Sequence, residues 1–148
     1  FDLTLIETMP MGETGEDRLD HYLPLTEVRR TLDLSFRLDP EAARTGGPAR
    51  YFRVAETGGR IGFISPLTQN FCDGCNRVRL TATGTLFLCL GQDDAVDLRA
   101  PLRAGASDAD LDAALEEAMR IKPKGHAFRI DAANRRPAVA RTMSATGG

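Results

Sequence analysis

The sequence predicts an α/β chain in which an opening strand and helix lead into a β-rich α+β domain. Three observations predict it. Short runs alternate between apolar and polar residues from the first residues as far as Leu90. Only two stretches, near 26–32 and 108–122, repeat apolar residues at helical spacing. The chain's only cysteines, Cys72, Cys75 and Cys89, all fall within the β-rich part.

Residues 1–7 set Leu3, Leu5 and Glu7 against Thr4 and Ile6, a strand that ends at Thr8-Met9-Pro10-Met11-Gly12. The chain opens in mid-strand without an initiator Met, so it is expected to be a piece of a larger protein. A polar loop over 12–18 precedes a short helix at 26–32, with Thr26 as N-cap and Leu25, Val28 and Leu32 on one face. Residues 35–38 and 50–55 read as strands around a loop from Pro40 to Pro48, and 60–65 as a strand after a Thr57-Gly58-Gly59 turn. Ser107-Asp108-Ala109-Asp110 opens the clearest helix, whose stripe of Leu111, Ala114, Leu115, Ala118 and Met119 is expected to be core and stops before Pro123. Beyond Lys122 the periodicity fades, and 134–148 reads as an extended basic tail ending in Gly147-Gly148. No internal repeat is present.

Between Cys75 and Cys89, residues 77–81 and 85–90 form two strand-like runs around Ala82-Thr83-Gly84, a β-hairpin. A two-residue turn would force β-branched Thr83 to positive φ, whereas a three-residue loop places only Gly84 there. If Thr81 pairs with Thr85, Arg79 lies opposite Phe87 and Arg77 opposite Cys89, so Arg77, Arg79 and Cys89 share a face.

C-x2-C followed by a third Cys is one thiolate short of a closed structural zinc site, while a cubane iron–sulfur cluster on three thiolates leaves one iron open to a small molecule. Asp73-Gly74 suits a tight turn around a metal. Two fixed positive charges nearby, each a planar fork of donors, point to a phosphorylated guest. The alternatives are that Cys72 and Cys75 pair as a disulfide or sit as small buried hydrophobes with Cys89 left over, or that the three join a His such as His126 in a zinc module acting as a structural or interaction domain without catalysis.

With 148 residues, 42% hydrophobic and 27% charged, the composition is that of an ordinary globular protein. No apolar run approaches the roughly 20 residues a membrane helix needs, and the first residues lack the regions of a signal peptide. A cytoplasmic location and no membrane partner are expected. A net charge of −2, no long basic run, no tryptophan and only two Tyr and seven Phe offer little to nucleic acid.

Ser65-Pro66-Leu67-Thr68-Gln69-Asn70-Phe71-Cys72-Asp73-Gly74-Cys75-Asn76-Arg77-Val78-Arg79-Leu80-Thr81-Ala82-Thr83-Gly84, with Cys89-Leu90 after it, resembles the C-terminal region of the MoaA family, the radical-SAM GTP 3′,8-cyclases of molybdenum cofactor biosynthesis. The resemblance extends to Ile6-Glu7-Thr8-Met9-Pro10-Met11-Gly12, to Val96-Asp97-Leu98-Arg99 and Leu102-Arg103, and to the closing double glycine. It implies that residues 1–34 are the last strand and helix of an incomplete (βα) barrel, and that 35–148 form a molybdenum cofactor synthesis domain carrying an auxiliary iron–sulfur cluster. It further implies that Cys72, Cys75 and Cys89 hold that 4Fe–4S cluster, whose open iron takes the guanine of GTP, and that Arg77, Val78 and Arg79 contact GTP. Met9 is assigned by the same resemblance to the S-adenosylmethionine site, and Gly147-Gly148 to a tail needed for the radical step. A homodimer is the expected assembly.

Two departures limit the transfer. The family's first cluster requires C-x3-C-x2-C, which this chain lacks, so it is expected to depend on a separate N-terminal radical-SAM half, with its own 4Fe–4S cluster, and to be inactive alone. Thr4 stands where many relatives carry Arg, which removes a positive charge. His21 and His126 receive no role.

Overall fold

The computed structural model describes residues 2–13, 15, 20–42, 45–130 and 136–146. These group into two compact units, one made of residues 1–9 and 17–71 and the other of residues 10–16 and 72–148. The fold is mixed α and β, with one sheet in each unit.

Unit 1 holds a four-stranded sheet in the order β1-β4-β3-β2. Strand β1 (Leu3–Ile6) runs parallel to β4 (Arg60–Ile64), which is antiparallel to β3 (Arg50–Val54), and β3 is antiparallel to β2 (Leu38–Glu41). The sheet therefore runs across position 34, the boundary drawn from sequence. Helix α1 (Leu25–Asp33) lays Leu25, Val28 and Leu32 against Leu38, Ile61 and Phe63, the face expected from its spacing. Phe52 and Phe63 meet edge to face at 5.7 Å. Arg29 ties the helix to the sheet, stacking 4.0 Å over Phe52 and donating to the Leu38 carbonyl at 3.2 Å.

Two expectations fail here. The N-cap of α1 is Pro24, not Thr26, and it offers no side-chain cap. The Leu25 N–H instead donates to the Glu7 carboxylate at 3.0 Å. Strand β2 starts at Leu38 and runs through Pro40, because β2 is the edge strand, where a residue without an N–H is tolerated.

Glu7, 2% exposed, follows β1 and is a buried carboxylate with every named neighbour a donor. It accepts from the backbone N–H groups of Leu25, Leu67 (2.8 Å) and Thr68 (3.1 Å), and from the Thr68 hydroxyl. Strand end, helix start and the 65–69 turn are thereby fixed by one side chain.

Unit 2 is built on a second sheet, β5 (Arg79–Leu80), β6 (Thr85–Phe87) and β7 (Ala95–Asp97), with both pairings antiparallel. The hairpin has the expected register at its turn end, with Arg79 opposite Phe87 and Thr81 N–H donating to Thr85 at 2.9 Å, but the strand pairing stops there and does not reach the expected Arg77–Cys89 pair. Gly84 alone turns to positive φ, +84°, in a three-residue loop. A Cβ there would stand 2.7 Å from the Cβ of Arg99, so glycine is required twice over. The paired segments are shorter than the runs 77–81 and 85–90, since Leu88 N–H leaves the hairpin for the Asp94 carbonyl at 3.0 Å.

Strand β7 and the short helix α2 (Arg99–Arg103) were not foreseen. Asp97 starts α2 by accepting from the N–H groups of Arg99 and Ala100. Helix α3 (Asp108–Ile121) begins as expected, with Ser107 and Asp110 in a reciprocal capping box. Its Ala118 and Ala114 pack on Leu86, Leu88, Leu98 and Val96. Leu115 and Met119 are 42% and 46% exposed, so the stripe is core on one edge only. Residues 136–146 are not an extended tail. Val139 bridges Met11 in parallel, both 3% exposed, and a 3-10 turn, Ser144–Thr146, buries Thr146.

Candidate functional site

All three cysteines lie in unit 2, two on a tight turn and one in the loop after β6. Asp73-Gly74 closes a single 3-10 turn, Cys72–Gly74, in which Cys75 N–H donates to the Cys72 carbonyl at 3.0 Å. Residues three apart stand on one side of such a turn, which is what C-x2-C spacing serves. The three are free thiols of intermediate exposure, so the disulfide alternative is not realised.

Arg77 turns back on this element, its Nη2 donating to Cys75 Sγ at 3.4 Å. Burial opposes ionisation of Cys75, but hydrogen bonds from the backbone and side chain of Arg77, with the charges of Arg77 and Lys122, outweigh it and hold the thiol below its ordinary pKa. Arg79 lies two residues on along the strand. Burial and the repulsion of Arg77 lower its pKa, with Arg141 adding to the repulsion, while the Cys75 and Cys89 sulfurs act in the opposite sense. It remains cationic at any physiological pH. Arg79 thus shares its surroundings with two of the three thiols and two further guanidinium groups.

Two basic residues that sequence reading left without a role hold this arrangement. Lys122, directly after α3, donates from Nζ to the carbonyls of Arg77 (3.1 Å) and Leu88 (2.6 Å), spanning the two arms of the hairpin. Arg141 donates to the carbonyls of Cys89 (2.8 Å) and Leu90 (2.9 Å) and also to that of Gln92. Its Nε, buried, has no acceptor among the described residues. The segment after Lys122 packs on the same region: a Cβ on Gly125 would lie 3.4 Å from Cys72 Sγ, and Gln92 donates to the Gly125 carbonyl.

His126 is engaged elsewhere. Its Nδ1 accepts from the Phe128 N–H at 3.2 Å, and its ring lies 4.6 Å from that of Phe128. Among the described residues no three His, Cys, Asp or Glu side chains are grouped to hold one metal ion, so neither the four-ligand zinc set with His126 nor the three cysteines alone stand as an assembled ligand set.

A family model described as Molybdenum Cofactor Synthesis C matches residues 1–128. The chain belongs to this family. Proteins to which the chain is similar include a GTP 3′,8-cyclase of Rhizobium meliloti (strain 1021), 67% identical over all 148 residues and over 42% of that protein's length. Another from Agrobacterium fabrum is 64% identical over the same span and share, and one from Mesorhizobium japonicum is 60% identical over 45% of its length. This chain therefore spans less than half the length of the curated relatives it matches.

Of the other residues singled out from the sequence of this Molybdenum Cofactor Synthesis C chain, Val78 is 37% exposed between the two arginines, and Met9 is half-buried in unit 1 after β1. Gly147 and Gly148 lie outside the described residues. Thr4 sits in β1 opposite Gly62, and His21 is exposed before α1.

Proposed function

We propose that this chain is the C-terminal, GTP-binding part of a GTP 3′,8-cyclase, a radical-SAM lyase that converts GTP to (8S)-3′,8-cyclo-7,8-dihydroguanosine 5′-triphosphate in molybdenum cofactor biosynthesis. The observation that carries this reading is the pairing of thiols with arginines: Arg77 on Cys75 Sγ, and Arg79 in the field of Cys75 and Cys89.

The residues fit an iron–sulfur cluster by the chemistry of their donors. Three free thiols are present, in a number that leaves one iron unligated by protein, and the surroundings of Cys75 favour its thiolate. Cys72, Cys75 and Cys89 would hold a 4Fe–4S cluster, which when bound offers an open coordination position to the guanine ring. Arg77 and Arg79 supply bidentate donors for the triphosphate, and Val78, itself exposed, lies between them. Rigid support from Lys122 keeps both arms of the hairpin in place, so that orientation of the nucleotide is set before chemistry.

The remaining assignments belong to the same proposal. Residues 1–34 would close a barrel supplied by an N-terminal half, which brings S-adenosylmethionine and the second 4Fe–4S cluster. Met9 would face S-adenosylmethionine, and Gly147-Gly148 would act in the radical step. The isolated chain would be inactive, and the full protein a cytoplasmic homodimer without nucleic-acid or membrane partners.

The test is anaerobic reconstitution of the chain with iron and sulfide. A brown species absorbing near about 400 nm with about four irons per chain, perturbed by GTP, supports the reading. Replacing Arg77 and Arg79 together with Ala is expected to weaken GTP binding by about tenfold or more. A colourless protein holding one zinc, or GTP affinity indifferent to both arginines, would remove this function.

A further inference from the structure

Cys89 stands outside the strand pairing that fixes the rest of the hairpin. Strand β6 ends at Phe87, and the Leu88 N–H donates to the Asp94 carbonyl at 3.0 Å, so residues 89–93 form a closed loop. The loop curls around one guanidinium. Arg141 Nη2 reaches the carbonyls of Cys89, Leu90 and Gln92, Nη1 pairs with Asp93, and the guanidinium carbon lies 4.4 Å over the Phe87 ring. The Arg141 side chain is only 10% exposed, while Asp93 is 76% exposed. The ion pair at the rim therefore adds little, and the part-buried carbonyl contacts carry the interaction.

Arg141 is itself delivered by an anchored segment. Ala138 N–H donates to the Pro10 carbonyl at 2.8 Å, and Gly12 N–H to the Val139 carbonyl at 2.9 Å. Nη2 has two hydrogens for three carbonyls, so these contacts are shared, while the same rigid plane lets Nη1 hold Asp93 and the face stack on Phe87; a lysine ammonium has three donors, but its shorter stem stops it short of the Nη2 position and it cannot lie flat on Phe87.

We propose that Arg141 is a positioning residue for Cys89: it fixes the backbone from which the third thiol projects, and so holds that thiol for ligation. The consequence for ligation rests on the cluster reading above, whereas the positioning itself does not.

The experiment uses the full chain, cluster-free and fully reduced, with Arg141→Lys and Arg141→Ala beside the unaltered protein. N-ethylmaleimide modification is followed at each cysteine by peptide mass spectrometry. Both variants are expected to speed modification of Cys89 by about tenfold, as a loop freed from its anchor opens locally, with Cys72 and Cys75 changed by less than about twofold. Equal acceleration at all three thiols in Arg141→Lys, or none at Cys89, overturns the proposal; should Arg141→Ala fail to fold, the lysine variant decides. After reconstitution, Arg141→Lys is expected to lose iron to a chelator faster and to show an altered electron paramagnetic resonance spectrum of the reduced cluster. If the unaltered chain takes up no iron, the cyclase reading falls, and the site-resolved alkylation still decides the role of Arg141.

Discussion

Replacing Glu7 with glutamine exchanges one carboxylate oxygen for an amide NH2 and leaves the side chain's shape unchanged. Oε1 accepts from Leu25 N–H and the Thr68 hydroxyl, and Oε2 from the N–H groups of Leu67 and Thr68. With the NH2 at the Oε2 position, two backbone N–H groups would face a donor. With it at the Oε1 position the Thr68 hydroxyl can rotate to accept, and only Leu25 N–H is left without a partner, so glutamine takes this orientation. One buried donor is orphaned and the remaining bonds lose their charge, which costs about 2–4 kcal/mol. In a unit of this size, about 4–8 °C of melting temperature accompanies each kcal/mol, so the transition of unit 1 falls by about 8–30 °C. Glu7→Leu, which orphans every donor in a buried site, is expected to cost more. Circular dichroism melts, with urea titration as a second measure, read the effect. A Glu7→Gln shift smaller than about 2 °C would refute the view that this carboxylate joins β1, α1 and the 65–69 turn.

Ser107→Ala removes one half of the α3 capping box and is expected to destabilise the helix by about 1 kcal/mol in thermal denaturation. Side-chain and backbone hydrogen bonds from Ser107 lower the pKa of Asp110, so the Asp110 part of the cap is intact at neutral pH and is lost only as pH falls through and below the usual carboxylate range; an acid titration of helicity should show this step in the parent chain and a weaker one in Ser107→Ala. Gly84→Ala must hold alanine at positive φ with its Cβ against Arg99, and a loss of about 2–3 kcal/mol is expected, with chemical shifts of β5 and β6 moving most. Lys122→Met leaves the carbonyls of Arg77 and Leu88 without this donor and should cost about 1–3 kcal/mol while slowing alkylation of Cys75 at neutral pH, since the positive charge that favours its thiolate is lost. Unchanged Cys75 reactivity in that variant would show that Lys122 does not act on the thiol.

The hairpin was legible because its information is local: Gly84 dictates the loop, the loop dictates the register, and Arg79 then falls opposite Phe87. Ser107 and Asp110 were readable for the same reason, each cap partner being three residues from the other. Glu7 was half legible. Alternation put it on a face with Leu3 and Leu5, but its donors come from residues 18 and 60 or more positions away. Thr26 was misjudged as N-cap because that distant carboxylate serves the start of α1 instead. Lys122 and Arg141 carried no local signal, since a basic residue after a helix or in a tail is most often solvated, and only the fold brings the carbonyls of residues 88–92 to them. Strand β7 is three residues long and α2 contains Pro101, so neither rises above what turns and loops show in sequence.

The Met11–Val139 bridge also orders events in time. Unit 2 takes residues 10–16 from one side of residues 17–71 and the rest from the other, so in the order of synthesis unit 1 is completed inside the interval between the two strands of that bridge. At translation speeds of about 5–20 residues per second, Met11 waits on the order of ten seconds for Val139 to leave the ribosome. During that wait Met11 lacks the cover that leaves it 3% exposed in the finished fold, and the loop bearing Cys89 has no Arg141 to close on. A nascent chain stalled before Val139 therefore presents an uncovered methionine and a loose thiol together, a state that chaperones would meet before the folded protein exists.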